Sequence, residues 1–175
     1  GSNNTAVGFG AATTNTTGTV TAIGYLAARF NTVGTDFTAV GLNAGQANTS
    51  GSYNTVVGKD AMYSNTTGSS HTAIGNQALY TCTTGTDNTA IGANAMRSAT
   101  TASYNTAVGI NALFSMTTGN LVNTAIGREA MYSTTTGQTG VAVGQAAMYS
   151  NTTGSNNIAI GVDTLRANTT ASSNT

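Results

Sequence analysis

Asn54-Thr55-Val56-Val57-Gly58-Lys59-Asp60-Ala61-Met62-Tyr63-Ser64-Asn65-Thr66-Thr67-Gly68 holds two markers from which the fold follows. The first, Thr-Ala-Ile/Val-Gly or a near variant, occurs ten times, with its glycine at Gly8, Gly24, Gly41, Gly58, Gly75, Gly92, Gly109, Gly127, Gly144 and Gly161. The spacings are 16, 17, 17, 17, 17, 17, 18, 17 and 17. The second, Thr-Thr-Gly or a relative, closes ten residues later at Gly18, Gly34, Gly51, Gly68, Gly85, Ala102, Gly119, Gly137, Gly154 and Ala171. Residues 1–175 are thus a single array of ten 17-residue units.

Stacked on the repeat glycine, other columns hold equally well. Four residues before it stands Asn in most units, with Val20, Phe37, His71 and Gly140 as departures. Three after it is Ala in nine units, and Thr164 in the tenth. Four after it comes a larger apolar residue: Met62, Leu79, Met96, Leu113, Met131, Met148 and Leu165. Eight after it is Thr in all ten units, from Thr16 to Thr169.

A period of 17 is too short for two helices or a propeller blade. Gly, Thr and Asn at fixed places in every window also disfavour a helix interior. The expectation is an all-β parallel β-solenoid of ten coils, each with two short strands and two turns. Thr-Ala-Ile/Val-Gly suits a strand, and Asn-Thr-Thr-Gly supplies turn formers. Strand alternation puts Ile/Val and the Thr two before it on one face, Ala and Gly on the other. The expected core is the Ile/Val column (Val7, Ile23, Val40, Val57, Ile74, Ile91, Val108, Ile126, Val143, Ile160) with the Met/Leu column above. The bare Ala/Gly face is expected to admit a second subunit's backbone. Repeated Asn at a turn predicts a side-chain amide ladder.

Composition excludes several function classes. Thr (36), Ala (27), Gly (22) and Asn (20) fill 105 of 175 positions. Five Lys+Arg balance five Asp+Glu, so no basic field exists for nucleic acid or an anionic membrane. No apolar stretch approaches the roughly 18 residues that span a bilayer. One Cys and one His give no zinc-ligand set, and no cofactor is expected.

Asn88-Thr89-Ala90-Ile91-Gly92 with Ala95 resembles the repeat in the head domains of trimeric autotransporter adhesins. That resemblance implies a homotrimer of left-handed parallel β-rolls and attachment to host or matrix ligands. Ala-Met-Tyr-Ser-Asn-Thr-Thr-Gly at 61–68 and 147–154 is also similar to repetitive fibre proteins of bacteriophages and environmental bacteria. Many of those end in an endosialidase-type intramolecular chaperone. The 17-residue period is longer than the coil usual in adhesin heads. Gly1-Ser2-Asn3-Asn4 repeats Gly154-Ser155-Asn156-Asn157 in register, and the chain stops inside an eleventh unit. The expectation is an excerpt of a longer fibre.

An enzyme is not expected. Asp60, Glu129 and Asp163 share the column two after the repeat glycine. Asp60 and Glu129 stand four coils apart, roughly 19 Å at the strand spacing, too far for a carboxylate pair. His71 replaces the column Asn with no expected Ser, Cys or carboxylate beside it, and Cys82 reads as an inert turn residue. The column Tyr63, Tyr80, Phe114, Tyr132 and Tyr149, with Arg29, Arg97 and Arg166 in the same place, is the candidate partner surface. It suits a sugar, a partner protein or an inter-subunit seam.

The sequence therefore points to an extracellular, cell-surface or virion fibre shaft of an adhesin, tail fibre or filament. Its partner would be itself, as homotrimer or filament, with host glycan or protein bound through other regions. The alternative is an ice-binding β-solenoid using Thr ladders. Ice-binding faces generally present Thr-x-Thr, whereas Thr66 and Thr67 are adjacent and strand neighbours face opposite ways.

Overall fold

The computed structural model describes residues 1–119 and 122–175 and is all-β, with no helix among them. Each Thr-Ala-Ile/Val-Gly copy forms one short strand: β1 (Thr5–Val7), β2 (Val20–Ile23), β3 (Phe37–Val40), β4 (Thr55–Val57), β5 (Thr72–Ile74), β6 (Thr89–Ile91), β7 (Thr106–Val108), β8 (Thr124–Ile126), β9 (Val141–Val143) and β10 (Ile158–Ile160). All ten pair in parallel, in chain order, in a single sheet. The chain is a parallel β-solenoid. Its register keeps every column intact: Thr38 faces Thr55, Ala39 faces Val56 and Val40 faces Val57. The 18-residue unit does not slip it, since Thr106 still pairs Thr124.

The repeat glycine ends each strand because consecutive coils touch there through their backbones. Gly41 and Gly58 both have φ near +133°, a region L residues rarely adopt. A Cβ on Gly41 would lie 2.7 Å from the Gly58 carbonyl oxygen.

The expected second strand is absent. In its place runs a ribbon of overlapping turns, as in the unit after Gly92. Ala95 N–H donates to Gly92 O (3.2 Å), Arg97 to Asn94 O (3.2 Å) and Ala99 to Met96 O (3.1 Å). The intervening amides bond alternately backwards and forwards along the rod: Asn94 to Asn76 O, Met96 to Ala112 O, both 2.9 Å. Every second residue is left-handed, with φ of 57° at Asn94 and 49° at Met96. Left-handed backbone costs an L residue on the order of 1 kcal/mol. Hydrogen bonding of nearly every ribbon amide offsets that cost, and Asn or Asp at Asn43, Asp60, Asn94, Asn111 and Asp163 reduces it.

The Met/Leu column lies in the core as expected: Met62, Leu79, Met96, Leu113, Met131 and Met148 are fully buried, and Leu165 is partly buried in the last coil. The Ile/Val column does not. Val7, Ile23, Val40, Val57, Ile74, Ile91, Val108, Ile126, Val143 and Ile160 all point outward, with Ile23 41% and Val7 58% exposed. The strand alternates as expected but in the opposite phase. Ala22, Ala39, Ala73, Ala90, Ala107, Ala125 and Ala142 are 0% exposed, as is Val56 in the same column. The reason is width: the ribbon already sends a Met or Leu and an Ala into most coils, and the facing strand has room for little more than a methyl group. The Ala face is therefore the chain's own core rather than a docking face, and glycine serves contact between coils.

Polar columns tie the coils together. Thr32, Thr49, Thr66 and Thr83 each donate a hydroxyl to the equivalent carbonyl one coil on, at 2.8–3.1 Å. This explains a Thr in every unit eight residues after the glycine. A buried amide ladder runs Asn15, Asn31, Asn48, Asn65, with Nδ2 to Oδ1 distances of 3.2, 2.7 and 2.6 Å. The Asn four before the glycine does a second task. Asn54 donates Nδ2 to Gly68 O (3.0 Å), closing its own coil, and its Oδ1 accepts His71 N–H (2.8 Å) from the next.

Candidate functional surfaces

Three places stand out. The first is the outer face of the sheet. Thr at 5, 21, 38, 55, 72, 89, 106 and 124 stands in line, two residues before the Ile/Val column, with Val141 and Ile158 finishing the row. Successive rungs are held at about 4.8 Å by the parallel ladder. No charged side chain lies in either column. The strand face is thus a long, uncharged stripe of hydroxyls and branched methyl groups, flanked at its edge by exposed Tyr53 and Tyr104. Sequence reasoning assigned these Ile/Val residues inward because it took bulk for burial; the compensating clue was the Met/Leu column, which already fills so thin a coil.

The second place is the aromatic column. Tyr63 stacks on Tyr80 (5.3 Å), Phe114 on Tyr132 (5.1 Å) and Tyr132 on Tyr149 (5.1 Å), all within 13° of parallel. Arg97 fills the gap between Tyr80 (5.3 Å) and Phe114 (5.9 Å), and Arg166 caps Tyr149 at 5.4 Å. Arg29 departs from this stack and lies over Phe30 at 4.8 Å. A rung spacing of about 4.8 Å falls within the range of centroid separations that offset-stacked rings prefer, which makes this arrangement automatic once the column repeats. The rings cover one another's faces and leave their edges outward. A sugar that packs flat on an aromatic face finds none free within the stack.

The third is buried. His71 occupies an Asn position and reproduces both Asn bonds: Nε2 lies 2.7 Å from Gly85 O, and Nδ1 accepts Asn88 N–H at 3.2 Å. This fixes the neutral tautomer with its proton on Nε2. The expectation of no neighbouring thiol fails, because Cys82 Sγ sits 3.7 Å from Nε2. Cys82 is not in an open turn either; it takes the next amide-ladder position after Asn65 and is fully buried. Asn65 Oδ1 loses the donor an Asn would have provided and has no partner. Two different 17-residue columns meet inside the coil, which reading each column alone does not reveal.

The three carboxylates two residues after the repeat glycine stay apart, each beside a local cation: Lys59–Asp60 at 4.0 Å, Arg128–Glu129 at 3.2 Å and Arg166–Asp163 at 2.8 Å. Among the described residues no group of three His, Cys, Asp or Glu gathers. An open hollow of about 370 Å³ lies between Phe9, Gly10, Thr13, Tyr25, Leu26 and Arg29, where Gly10 and Thr13 leave the next coil's side chains uncovered.

Fold and surfaces together define a repetitive parallel β-solenoid with a regular outer face. No family model, curated protein or solved structure matches the chain.

Proposed function

We propose that this protein is a non-enzymatic fibre segment, part of an extracellular surface adhesin, tail fibre or filament, that works by reach and display. Copies of it associate, as a homotrimer, through the outer Thr/Ile/Val face. The observation that supports this most is that face: ten rungs in register, uncharged, with Ile74, Ile91 and Ile126 each more than a third exposed. At about 4.8 Å per rung and roughly 15 Å across, it offers on the order of 700 Å² per copy, shared in a trimer between two neighbours. The aromatic column serves as a stiffening seam along the same rod.

Ice binding is the second reading, favoured by one observation. The outward Thr ladder belongs to the strand column at 5 to 124, with a branched residue two positions on, and not to the adjacent Thr66 and Thr67 of the turn.

Light scattering on the folded chain, joined to thermal hysteresis on the same sample, separates the two. A trimer without hysteresis that becomes monomeric in Ile126→Asp supports the fibre reading. A monomer with hysteresis overturns it in favour of ice, and a monomer without hysteresis overturns both.

A further inference from the structure

His71 is the chain's one histidine, and it stands where most units of the array carry Asn. Both nitrogens are committed. Nε2–H donates to Gly85 O, closing its own coil, and Nδ1 accepts the Asn88 N–H, holding the next coil in register. An Asn in this column makes the same pair of bonds at any pH, as Asn54 and Asn88 do. A histidine makes them only when neutral. Protonation places a hydrogen on Nδ1, directly against the Asn88 N–H, so that two donors face each other.

We propose that the coil at His71 is an acid-sensitive joint: protonation of this ring releases the clamp between β5 and β6 and opens the rod there, while coils carrying Asn stay closed. The surroundings offer the charged ring little relief. Asn54 and Asn88 are neutral, Cys82 Sγ lies 3.7 Å from Nε2, and burial pushes that thiol up to about 11, so it is uncharged at neutral and acid pH. Asp87 is the carboxylate whose charge is felt at the ring. Burial lowers the His71 pKa from its ordinary value, and the Gly85 carbonyl and Asp87 oppose that without reversing it. The sign follows. The folded coil favours neutral histidine, so its stability is complete above the ordinary histidine pKa of about 6.5 and falls as pH drops below it. The neighbouring amide ladder is also interrupted here, at Cys82, Ala99, Met116 and Thr134, which removes a backup tie between these coils.

The test is amide hydrogen exchange at Asn88 in the wild-type chain and in His71→Asn, compared at each pH so that intrinsic exchange cancels. Between pH 7 and 5 the ratio of wild-type to variant exchange should rise on the order of tenfold, with coils far from His71 showing no such rise. An unchanged ratio would overturn the proposal. The ring titration by NMR on the wild type is independent of any variant: a midpoint below about 6.5 is required, and a midpoint at or above it refutes the joint.

Discussion

The Phe37 ring occupies the space that Gly45 leaves empty. Phe37 stands in an Asn column and Gly45 in the Met/Leu column, yet a Cβ added to Gly45 would run into Phe37 Cζ. The mirror case is Gly140, in the Asn column, where Met131 Cε fills the vacancy. Each coil has a fixed interior volume, and two columns share it.

Phe37 and Gly45 should therefore be coupled. Phe37→Asn alone empties the coil and should cost about 3–5 kcal/mol. Gly45→Met alone overpacks it and should cost about 1–3 kcal/mol. The double variant restores the array pattern and should cost less than the sum by at least about 1 kcal/mol. Chemical denaturation of the four proteins gives the coupling energy, and simple additivity would contradict shared volume.

Extending the amide ladder should stabilise the rod. In Cys82→Asn the new Nδ2 can reach the orphaned Asn65 Oδ1, as Asn65 Nδ2 reaches Asn48 Oδ1. Gly85 O can accept a second bond, as Gly68 O already accepts from both Asn54 and Asn65. A gain of about 1 kcal/mol is expected, seen as a raised thermal midpoint by circular dichroism, with Cys82→Ala giving no such gain.

Inner and outer columns should respond to different measurements. Met131→Ala opens a cavity in the core and should cost about 2–5 kcal/mol wherever it is measured. Ile126, on the outer face, contributes little to a single chain. Ile126→Ala should weaken association with only a small effect on monomer stability, read as a concentration-dependent mass by light scattering.

The stacked column should tolerate completion. Arg97 contacts Tyr80 and Phe114, and its Nε donates to Gln77 Oε1 at 3.0 Å. Arg97→Ala breaks the stack and should cost roughly 0.5–2 kcal/mol. Arg97→Tyr should recover most of that and strengthen the near-ultraviolet dichroism of coupled tyrosines.

Cys82 should be silent toward thiol reagents in the folded chain. Burial pushes its pKa from 9.0 up to about 11, so folding favours the thiol over the thiolate. Its contribution to stability is complete below pH 9 and is lost as pH rises through about 11. Aromatic disulfide reagents should label it at pH 8 only after unfolding. Rapid labelling of the native chain would show that the coil opens there.

Much of this was legible from the columns. The period, the parallel pairing, the in-register stack and the buried Met/Leu row all follow from repeating one short unit, because identical coils have no better partner than a copy of themselves. The repeated Asn announced an amide ladder; the Thr hydroxyl ties from coil to coil were not read from the column. Two things were less accessible. Asn and Asp two residues after the glycine were the available signal for left-handed backbone, but Gln77, Glu129, Met62 and Leu79 at positive φ carry no such mark. His71 and Cys82, eleven residues apart, meet only because both columns project into one coil.

By itself the sequence determined that this chain is a β-solenoid and which residues stack on which, since periodicity alone sets those. Only the tertiary structure decided which side of the strand is inside. Alternation permits either phase, and the choice was made by volume: a coil already holding Met96 and Ala95 takes Ala90 against them, so Ile91 and Thr89 are left to form the outer face.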